Sequence, residues 1–248
     1  MRAGIAIAVA GVLACADGTR AACPDDVAVA AVREIVEYES GGVIVRGYLY
    51  RPARPNGAGV VLLHGAGGLQ YDAPIYDPHA FQLASRGYQV LAPAYYDMRP
   101  ARSQRDWRDM QAWRLVAADG ARFLGGQPGA EPSRIALWGY SLGGFLAGEA
   151  TMESDAVAAG VSLAGGTDVG RPGRTRRAVP LLLMHSRRDP VISAGSTKRW
   201  AMNLEERGAT VETLELDVEG HTFDPDAWCT IFATTRSFLD RTLSVAAP

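Results

Sequence analysis

The sequence predicts a doubly wound α/β fold, which is a mostly parallel β-sheet with helices on both faces. From residue 34 onward, short apolar runs typical of buried strands alternate with longer stretches of helical periodicity. Two of these runs, at residues 60–63 and 135–138, pass directly into glycine-rich segments. Strands of an open parallel sheet do this where they enter the loops at its carboxyl edge. We therefore expect one α/β domain that occupies residues 23–248.

Composition agrees with an enzyme-sized domain. The chain has 248 residues, of which 48% are hydrophobic, and a formal net charge of −2. A chain of this size can bury a complete core. So small a net charge gives no general attraction to nucleic acid or to membrane surfaces, and we expect neither as a partner. No internal repeat or change of composition indicates a second domain, and the sequence indicates no oligomeric state.

The first 22 residues have the character of a signal peptide. Arg2 precedes an apolar stretch at residues 3–16, which is shorter than the about 20 residues that span a bilayer. We expect residues 1–22 to be removed during export to the periplasm or the exterior, with cleavage after residue 21 or 22. Cleavage after residue 16 is an alternative. Residues 12–15 also distantly resemble a lipoprotein processing site, which would leave Cys15 lipid-modified.

The elements of the domain follow from periodicity and from turn residues. An antiparallel hairpin is expected first, with strands at residues 34–39 and 43–50 around a turn at residues 40–42. Strands of the parallel core are expected near residues 59–63, 88–92, 134–138, 158–163, 180–184 and 211–216. Helices are expected near residues 78–86, 105–124, 142–152, 194–207 and 226–243.

Ser141 is the candidate nucleophile. It follows an apolar run, lies between Gly139 and Gly143, and precedes a helix-like stretch, which is the pattern of a nucleophile elbow. A serine hydroxyl is a poor nucleophile at neutral pH, so it needs an exposed position, a base and nearby N–H groups. An ordinary serine in a glycine-rich turn is the alternative, and further segments of the chain argue against it.

A candidate acid and a candidate base follow Ser141 in the order that one serine-hydrolase architecture requires. Asp189 comes just after an apolar run at residues 179–185, and His221 comes after a half-exposed strand at residues 211–216. Loops beyond the carboxyl ends of parallel strands gather at one edge, so these residues can converge. Asp97 and Asp168 also follow strand-like segments and remain alternatives to Asp189.

Two backbone N–H groups are the candidate oxyanion donors. The apolar run at residues 60–63 enters the glycine-rich loop at residues 64–68, which can direct the N–H of Ala66, or alternatively that of Gly67, at an oxyanion. The second donor would be the N–H of Leu142, directly after the candidate nucleophile. We expect His64 to brace this loop.

These segments resemble the α/β-hydrolase superfamily and, within it, the dienelactone hydrolase family. The resemblance rests on residues 64–68, on the elbow at Ser141, and on residues 188–190 and 220–223, and it extends from about residue 34 to residue 243. It implies an α/β-hydrolase fold and a Ser–Asp–His triad. Dienelactone hydrolases use a cysteine nucleophile, whereas the matching position here is Ser141, as in the related carboxylesterases and peptidases. The substrate is therefore left open.

The expected activity is hydrolysis of a carboxylic ester through an acyl-enzyme on Ser141. His221 would act as the base, Asp189 would orient it, and Ala66 and Leu142 would bind the oxyanion. This cycle needs no cofactor, and no metal-ligand spacing is present, so we expect neither a cofactor nor a metal. An amide or peptide hydrolase, and a non-catalytic binding protein of the same fold, are the alternatives. The absence of a long insertion predicts a minimal lid and substrates of modest size.

Further side chains have weaker predicted roles. In an oxidising compartment, Cys23 and Cys229 would form a disulfide bond. Tyr96 follows a predicted strand and either lines the substrate pocket or packs beneath the loop. His79 is expected to face solvent, and His185 to bond the backbone at the end of its strand.

The arginines near the predicted site have two interpretations. They could bind a carboxylate-bearing substrate, or they could pair with neighbouring acids. We favour pairing with acids for the four arginines with helical spacing, at residues 99, 102, 105 and 108. The arginines concerned are Arg99, Arg102, Arg105, Arg108, Arg187 and Arg188.

Overall fold

A computed structural model describes residues 23–101 and 106–244. Residues 1–22, which include Cys15 and the expected signal peptide, lie outside the described residues, as do Arg102 and Arg105. Within the described ranges, no helix is long and apolar enough to cross a membrane.

The described chain forms one eight-stranded sheet in the order β1-β2-β4-β3-β5-β6-β7-β8. The first hairpin is antiparallel, β2 pairs antiparallel with β4, and all the other neighbouring strands run parallel. The strands are Ala31–Ser40 (β1), Val43–Pro52 (β2), Gly57–Leu63 (β3), Gln89–Pro93 (β4), Ala130–Tyr140 (β5), Ala159–Leu163 (β6), Pro180–Arg188 (β7) and Thr210–Glu219 (β8). The predicted fold class, with its N-terminal hairpin, is confirmed.

Helices cover both faces of the sheet. They are Leu69–Ser85 (α1), Trp107–Gly125 (α2), Leu142–Glu153 (α3), Ala194–Glu206 (α4) and Pro225–Thr242 (α5), with a short 3₁₀ helix at Tyr95–Asp97. Helices α1 and α5 pack on one face, and α2, α3 and α4 pack on the other. Every residue of β3 is buried, with Val61 in one core and Val60 in the other. Burial on both faces explains why the parallel strands appear in the sequence as continuous apolar runs.

The first helix begins well before its predicted start. Pro78 favoured a beginning near residue 78, because proline is common in the first turn of a helix. In the structure, α1 begins at Leu69 and continues through Pro74 and Pro78. Each proline removes a backbone hydrogen bond from the helix. The apolar contacts of buried residues such as Tyr76 stabilise its first half despite this loss.

The expectation that His79 faces solvent is wrong. Its side chain lies on the inner surface of α1 and is 3% exposed. The ring stacks on Phe232 of α5, with 4.2 Å between the ring centroids. In the longer helix, residue 79 belongs to the apolar stripe that faces the core. The shorter predicted helix placed it in the first turn, facing solvent.

A disulfide bond joins Cys23 to Cys229 in α5. The segment that follows Cys23 then crosses to α1, where Val27 exchanges two hydrogen bonds with Gln82 and the N–H of Ala30 bonds Ser85. The start of the described chain is thus connected to both helices on one face of the sheet.

Loss of the disulfide is expected to lower stability without unfolding the sheet. Cys229→Ser should reduce the free energy of unfolding by about 2–4 kcal/mol, because the bond closes a loop of 206 residues in the unfolded chain. Chemical unfolding with and without a reductant measures this effect. The variant itself is the control, since a reductant should not destabilise it further. Equal stability of the reduced and oxidised wild-type protein would contradict the prediction.

Candidate active site

Ser141 occupies a strained turn between β5 and α3. Its backbone angles are φ 54° and ψ −116°, which are rare for a residue with a side chain. The turn is held in place by a hydrogen bond of 2.8 Å from the N–H of Ser141 to the carbonyl of Leu163 in β6. Such strain is costly and persists only where the surroundings impose it. This turn has the geometry of a nucleophile elbow.

The two glycines around Ser141 are required by close backbone contacts. A Cβ atom on Gly139 would lie 2.0 Å from the carbonyl oxygen of Gly143. A Cβ atom on Gly143 would lie 2.4 Å from the carbonyl oxygens of both Leu63 and His64. Any larger residue would push α3 away from the ends of β3 and β5. The glycines therefore bring the first turn of α3 against the loop that follows β3.

The structure brings Ser141, His221 and Asp189 into one chain of hydrogen bonds. The Ser141 Oγ lies 2.8 Å from His221 Nε2, and His221 Nδ1 lies 2.7 Å from Asp189 Oδ2. Ser141 follows β5, Asp189 follows β7 and His221 follows β8, so all three lie at the carboxyl edge of the sheet. With Nδ1 donating to the carboxylate, Nε2 is left as the acceptor for the serine hydroxyl proton.

Asp189 is fixed by its own backbone. Its Oδ1 accepts the N–H groups of Val191 at 2.7 Å and Ile192 at 2.8 Å, which leaves Oδ2 for His221. The carboxylate is fully shielded from solvent, so these three donors replace its lost hydration. The alternative acids have other partners, since Asp97 binds Arg46 and Asp168 binds Ser193.

The His221 loop is held by two residues that the sequence analysis did not identify. Tyr140 donates its hydroxyl to the carbonyl of His221 at 2.5 Å, and Ser186 donates its hydroxyl to the carbonyl of Gly220 at 2.5 Å. Burial raises the pKa of Tyr140 above its ordinary value, so its hydroxyl remains a donor at neutral pH. Tyr140 adjoins Ser141 in sequence, and this position next to the nucleophile was the signal available.

The loop after β3 and the start of α3 supply the candidate oxyanion donors. Leu142 is the first residue of α3, so its N–H has no carbonyl one turn earlier within the helix, and the helix dipole adds positive potential there. Ala66 is exposed on the facing loop. The N–H of Gly65 is bound by the buried carboxylate of Asp72 at 2.5 Å. Asp72 thereby fixes the start of this loop.

His64 controls the orientation of the Ala66 N–H. Its Nδ1 lies 2.8 Å from the carbonyl oxygen of Gly65, which can only accept, so Nδ1 carries the proton. The peptide between Gly65 and Ala66 is planar, so fixing its C=O also fixes its N–H, which points the opposite way. Stacking on Tyr95, with 3.8 Å between ring centroids, holds the imidazole in place. His64 therefore braces the loop.

Tyr96 lies beside the same loop. Its hydroxyl donates to the carbonyl of Ala66 at 3.2 Å, and its ring packs against His64 and Trp113. The side chain is half-buried. The ring therefore packs against the loop, as one of the two predicted positions requires, and a role in the substrate pocket stays a prediction.

Ion pairs account for most of the described arginines near the site. Arg99 binds Asp109 at 2.6 Å, Arg187 binds Asp217 at 2.7 Å and Arg188 binds Glu219 at 3.1 Å, whereas Arg108 lies over the ring of Trp107. His185 is buried, with Nδ1 at 3.2 Å from the carbonyl of Ser186. Among the described residues, no group of three or more His, Cys, Asp or Glu side chains could hold a metal ion.

A family relationship spans the strands and loops that carry these residues. The model of the dienelactone hydrolase family matches residues 45–227, which is more than half of the 248 residues. This chain belongs to the dienelactone hydrolase family. The matched range includes Ser141, Asp189 and His221. Comparison with curated proteins finds no match.

Several solved structures are similar in fold to this protein. They include a Pyrobaculum calidifontis esterase, with a TM-score of 0.64, 18% identity, and 87% of this chain and 86% of that one covered. A Klebsiella pneumoniae protein provisionally described as a dienelactone hydrolase has a TM-score of 0.68 and 17% identity, with 88% and 100% covered. The Pyrococcus horikoshii acylaminoacyl peptidase has a TM-score of 0.67 and 18% identity, with 88% and 43% covered.

These identities show the α/β-hydrolase fold alone. The chain spans less than half the length of the acylaminoacyl peptidase. Together with the family relationship, the fold supports a hydrolase.

The buried His64 is expected to make stability depend on pH. Burial lowers the pKa of its imidazole from 6.5 to about 4, so between these values the unfolded chain binds a proton that the folded chain does not. The stabilisation is therefore complete above pH 6.5, and about 3 kcal/mol is lost as the pH falls to 4. Unfolding by denaturant at several pH values measures this loss.

The matched variant is His64→Asn, whose amide can donate to the same carbonyl but does not titrate. The difference in unfolding free energy between wild type and variant should shrink steadily below pH 6.5. Parallel pH profiles for the two proteins would contradict the assignment of this loss to His64.

Proposed function

We propose that this protein is a serine hydrolase that cleaves carboxylic esters through an acyl-enzyme on Ser141. The single observation that carries the proposal is the continuous hydrogen-bonded chain from Asp189 through His221 to a serine on a strained strand-to-helix turn. The family relationship and the esterases of the same fold support it. A binding protein would gain nothing from the backbone strain at Ser141.

The first half of the reaction forms the acyl-enzyme. Ser141 Oγ attacks the ester carbonyl carbon while His221 Nε2 accepts its proton. Asp189 stabilises the imidazolium that results and keeps the proton on Nδ1. The carbonyl oxygen becomes an oxyanion, which the N–H groups of Ala66 and Leu142 bind. Removing one such donor typically costs about 3 kcal/mol of transition-state stabilisation.

The acyl-enzyme forms when this intermediate collapses: the bond to the alcohol oxygen breaks, and the imidazolium of His221 protonates the leaving alcohol. In the second half, which releases the acid, the neutral imidazole accepts a proton from water, which attacks the acyl carbon. The tetrahedral intermediate collapses, and the proton returns to Ser141. All the groups in this cycle belong to the chain, so the proposed reaction needs only substrate and water.

The segment between β6 and β7 supports substrates of modest size. Residues 164–179 form no helix and are bound to the body of the protein, where Gly173 donates to Glu149 and Thr175 accepts from Arg207. These bonds hold the segment against the body of the protein, so we do not expect it to close over a long acyl chain as a mobile lid does. Short acyl esters should therefore give the higher kcat/KM, and a preference for emulsified long-chain esters would contradict this proposal.

An amide or peptide bond is the second candidate target. Peptidases are among the solved structures of this fold, and amides pass through the same kind of tetrahedral intermediate. A panel that presents one acyl group as an ester and as an amide distinguishes the two candidates.

We also propose that the protein is exported, because its disulfide is typical of oxidising compartments.

Fluorophosphonate labelling tests the nucleophile without knowledge of the substrate. We expect one adduct, mapped by peptide mass to Ser141 and absent from Ser141→Ala. Ser237→Ala, which changes an exposed serine on α5, is the matched control and should label normally. A folded wild-type protein that remains unlabelled would overturn the proposed function.

The identity of the orienting acid is tested by two matched substitutions. Asp189→Asn should lower kcat by about 10⁴-fold with little change in KM, because an amide cannot stabilise the imidazolium and favours the wrong tautomer. Asp168→Asn makes the same chemical change at a residue that binds Ser193 and should leave kcat within a factor of about two. Comparable losses in both variants would contradict the proposed role of Asp189.

A further inference from the structure

Strand β1 is an open edge of the sheet. Within the described residues it has one neighbouring strand, β2, and its other side faces outward. The strand is ten residues long, which is long for an unprotected edge. Six of its ten residues are exposed, and they include neighbouring residues whose side chains point to opposite faces of the sheet. The helices on the two faces therefore leave this edge accessible.

The turn of the hairpin identifies the backbone groups that point outward. Gly41 and Gly42, with φ 53° and 83°, form a two-residue turn that closes on the pair Ser40 and Val43. Such a closing pair exchanges hydrogen bonds, and the bonding alternates along an antiparallel ladder. Even-numbered residues of β1 therefore bond β2. The odd-numbered residues, Ala31, Arg33, Ile35, Glu37 and Glu39, present unpaired N–H and C=O groups.

Three exposed large apolar side chains lie on β1 and the adjacent strand. Ile35 is 77% exposed and is the most exposed large apolar residue in the described ranges. Val32 is 59% exposed, and Ile44, on the adjacent strand, is 55% exposed. An apolar residue this exposed at the centre of an open strand favours association through that strand.

The charges of β1 complement a second copy of the same strand. If two β1 strands pair antiparallel with Ile35 opposite Ile35, then Arg33 of each copy lies opposite Glu37 of the other. All of these residues have outward-facing backbone groups, so the pairing is compatible with a regular ladder. Opposite charges in such cross-strand pairs are stabilising.

Neighbouring registers are less favourable. A shift that brings Glu34 opposite Glu34 places like charges together. A shift that centres Val36 pairs Arg33 with Glu39 but places Ile35 opposite Glu37, so the apolar pair is lost, and in that register alone Glu39→Arg would weaken the dimer. Arg33 binds Asp77 in its own chain at 2.6 Å, but its guanidinium has further donors for a second carboxylate.

We propose that two copies of this chain associate through β1, with Ile35 on the two-fold axis, and join their sheets into one continuous sheet. Both copies use the same patch, as a two-fold interface requires. The axis reverses the strand direction, so the two carboxyl edges face opposite ways and neither active site contributes to the other.

Glu37→Arg tests this interface by replacing both attractive pairs with repulsive ones. Sedimentation analysis of the purified protein over a concentration series should show a wild-type dimer and a dissociation constant raised by about tenfold or more in the variant. Glu39→Arg makes the same change of charge on the same strand, but its expected partner is the uncharged Ala31, so its dimer should persist. Fluorophosphonate labelling should be the same in all three proteins, because the edge is remote from Ser141.

A second arm uses charge exchange between two variants. Arg33→Glu and Glu37→Arg should each be monomeric, whereas their mixture should form a heterodimer in which both pairs are attractive again. Thermal unfolding checks that Arg33→Glu remains folded after losing its bond to Asp77.

Three results would overturn the proposal. They are a monomeric wild type, a dimer that Glu37→Arg leaves unchanged, and equal weakening by Glu39→Arg. A dimer whose Ser141 does not label would leave the interface supported while the proposed function failed.

Discussion

The candidate active site depends on the close approach of backbones where β5 turns into α3. A side chain at Gly139 would overlap the carbonyl of Gly143. A side chain at Gly143 would overlap the carbonyls of Leu63 and His64, at the end of β3. Because no larger residue fits, the first turn of α3 is pressed against the loop after β3. The strained turn at Ser141 lies within this contact, and Leu142 is thereby placed beside the loop that carries Ala66.

Main-chain hydrogen bonds do most of the positioning around the site. Asp189 is held by two backbone N–H groups, the loop of His221 by side chains that bind its carbonyls, and the oxyanion loop by His64 and Asp72. A buried polar group that lost its partner would carry an uncompensated desolvation cost. The arrangement is therefore stabilised by the same bonds that orient it, and it exists before any substrate binds.

The parts of this structure that could be predicted from sequence are those with strong local signals. Buried parallel strands appear as apolar runs. Ser141, Asp189 and His221, which follow three of these strands, were predicted from their positions, from the glycines around Ser141 and from their order in the chain. The start of α1 was missed because local preference at Pro78 opposed tertiary packing, and the burial of His79 was missed with it. The roles of Tyr140 and Ser186 were missed because they depend on contacts with residues 81 and 34 positions away, and only the position of Tyr140 beside Ser141 hinted at its role.

The long span of the disulfide has a consequence for biosynthesis. A chain that emerges from its amino end exposes Cys23 while Cys229 is still 206 positions away. All eight strands of the described sheet are synthesised before this thiol meets its partner. The bond can therefore form only after every strand has been synthesised, so it fastens the fold late and cannot guide the pairing of strands in a partly synthesised chain.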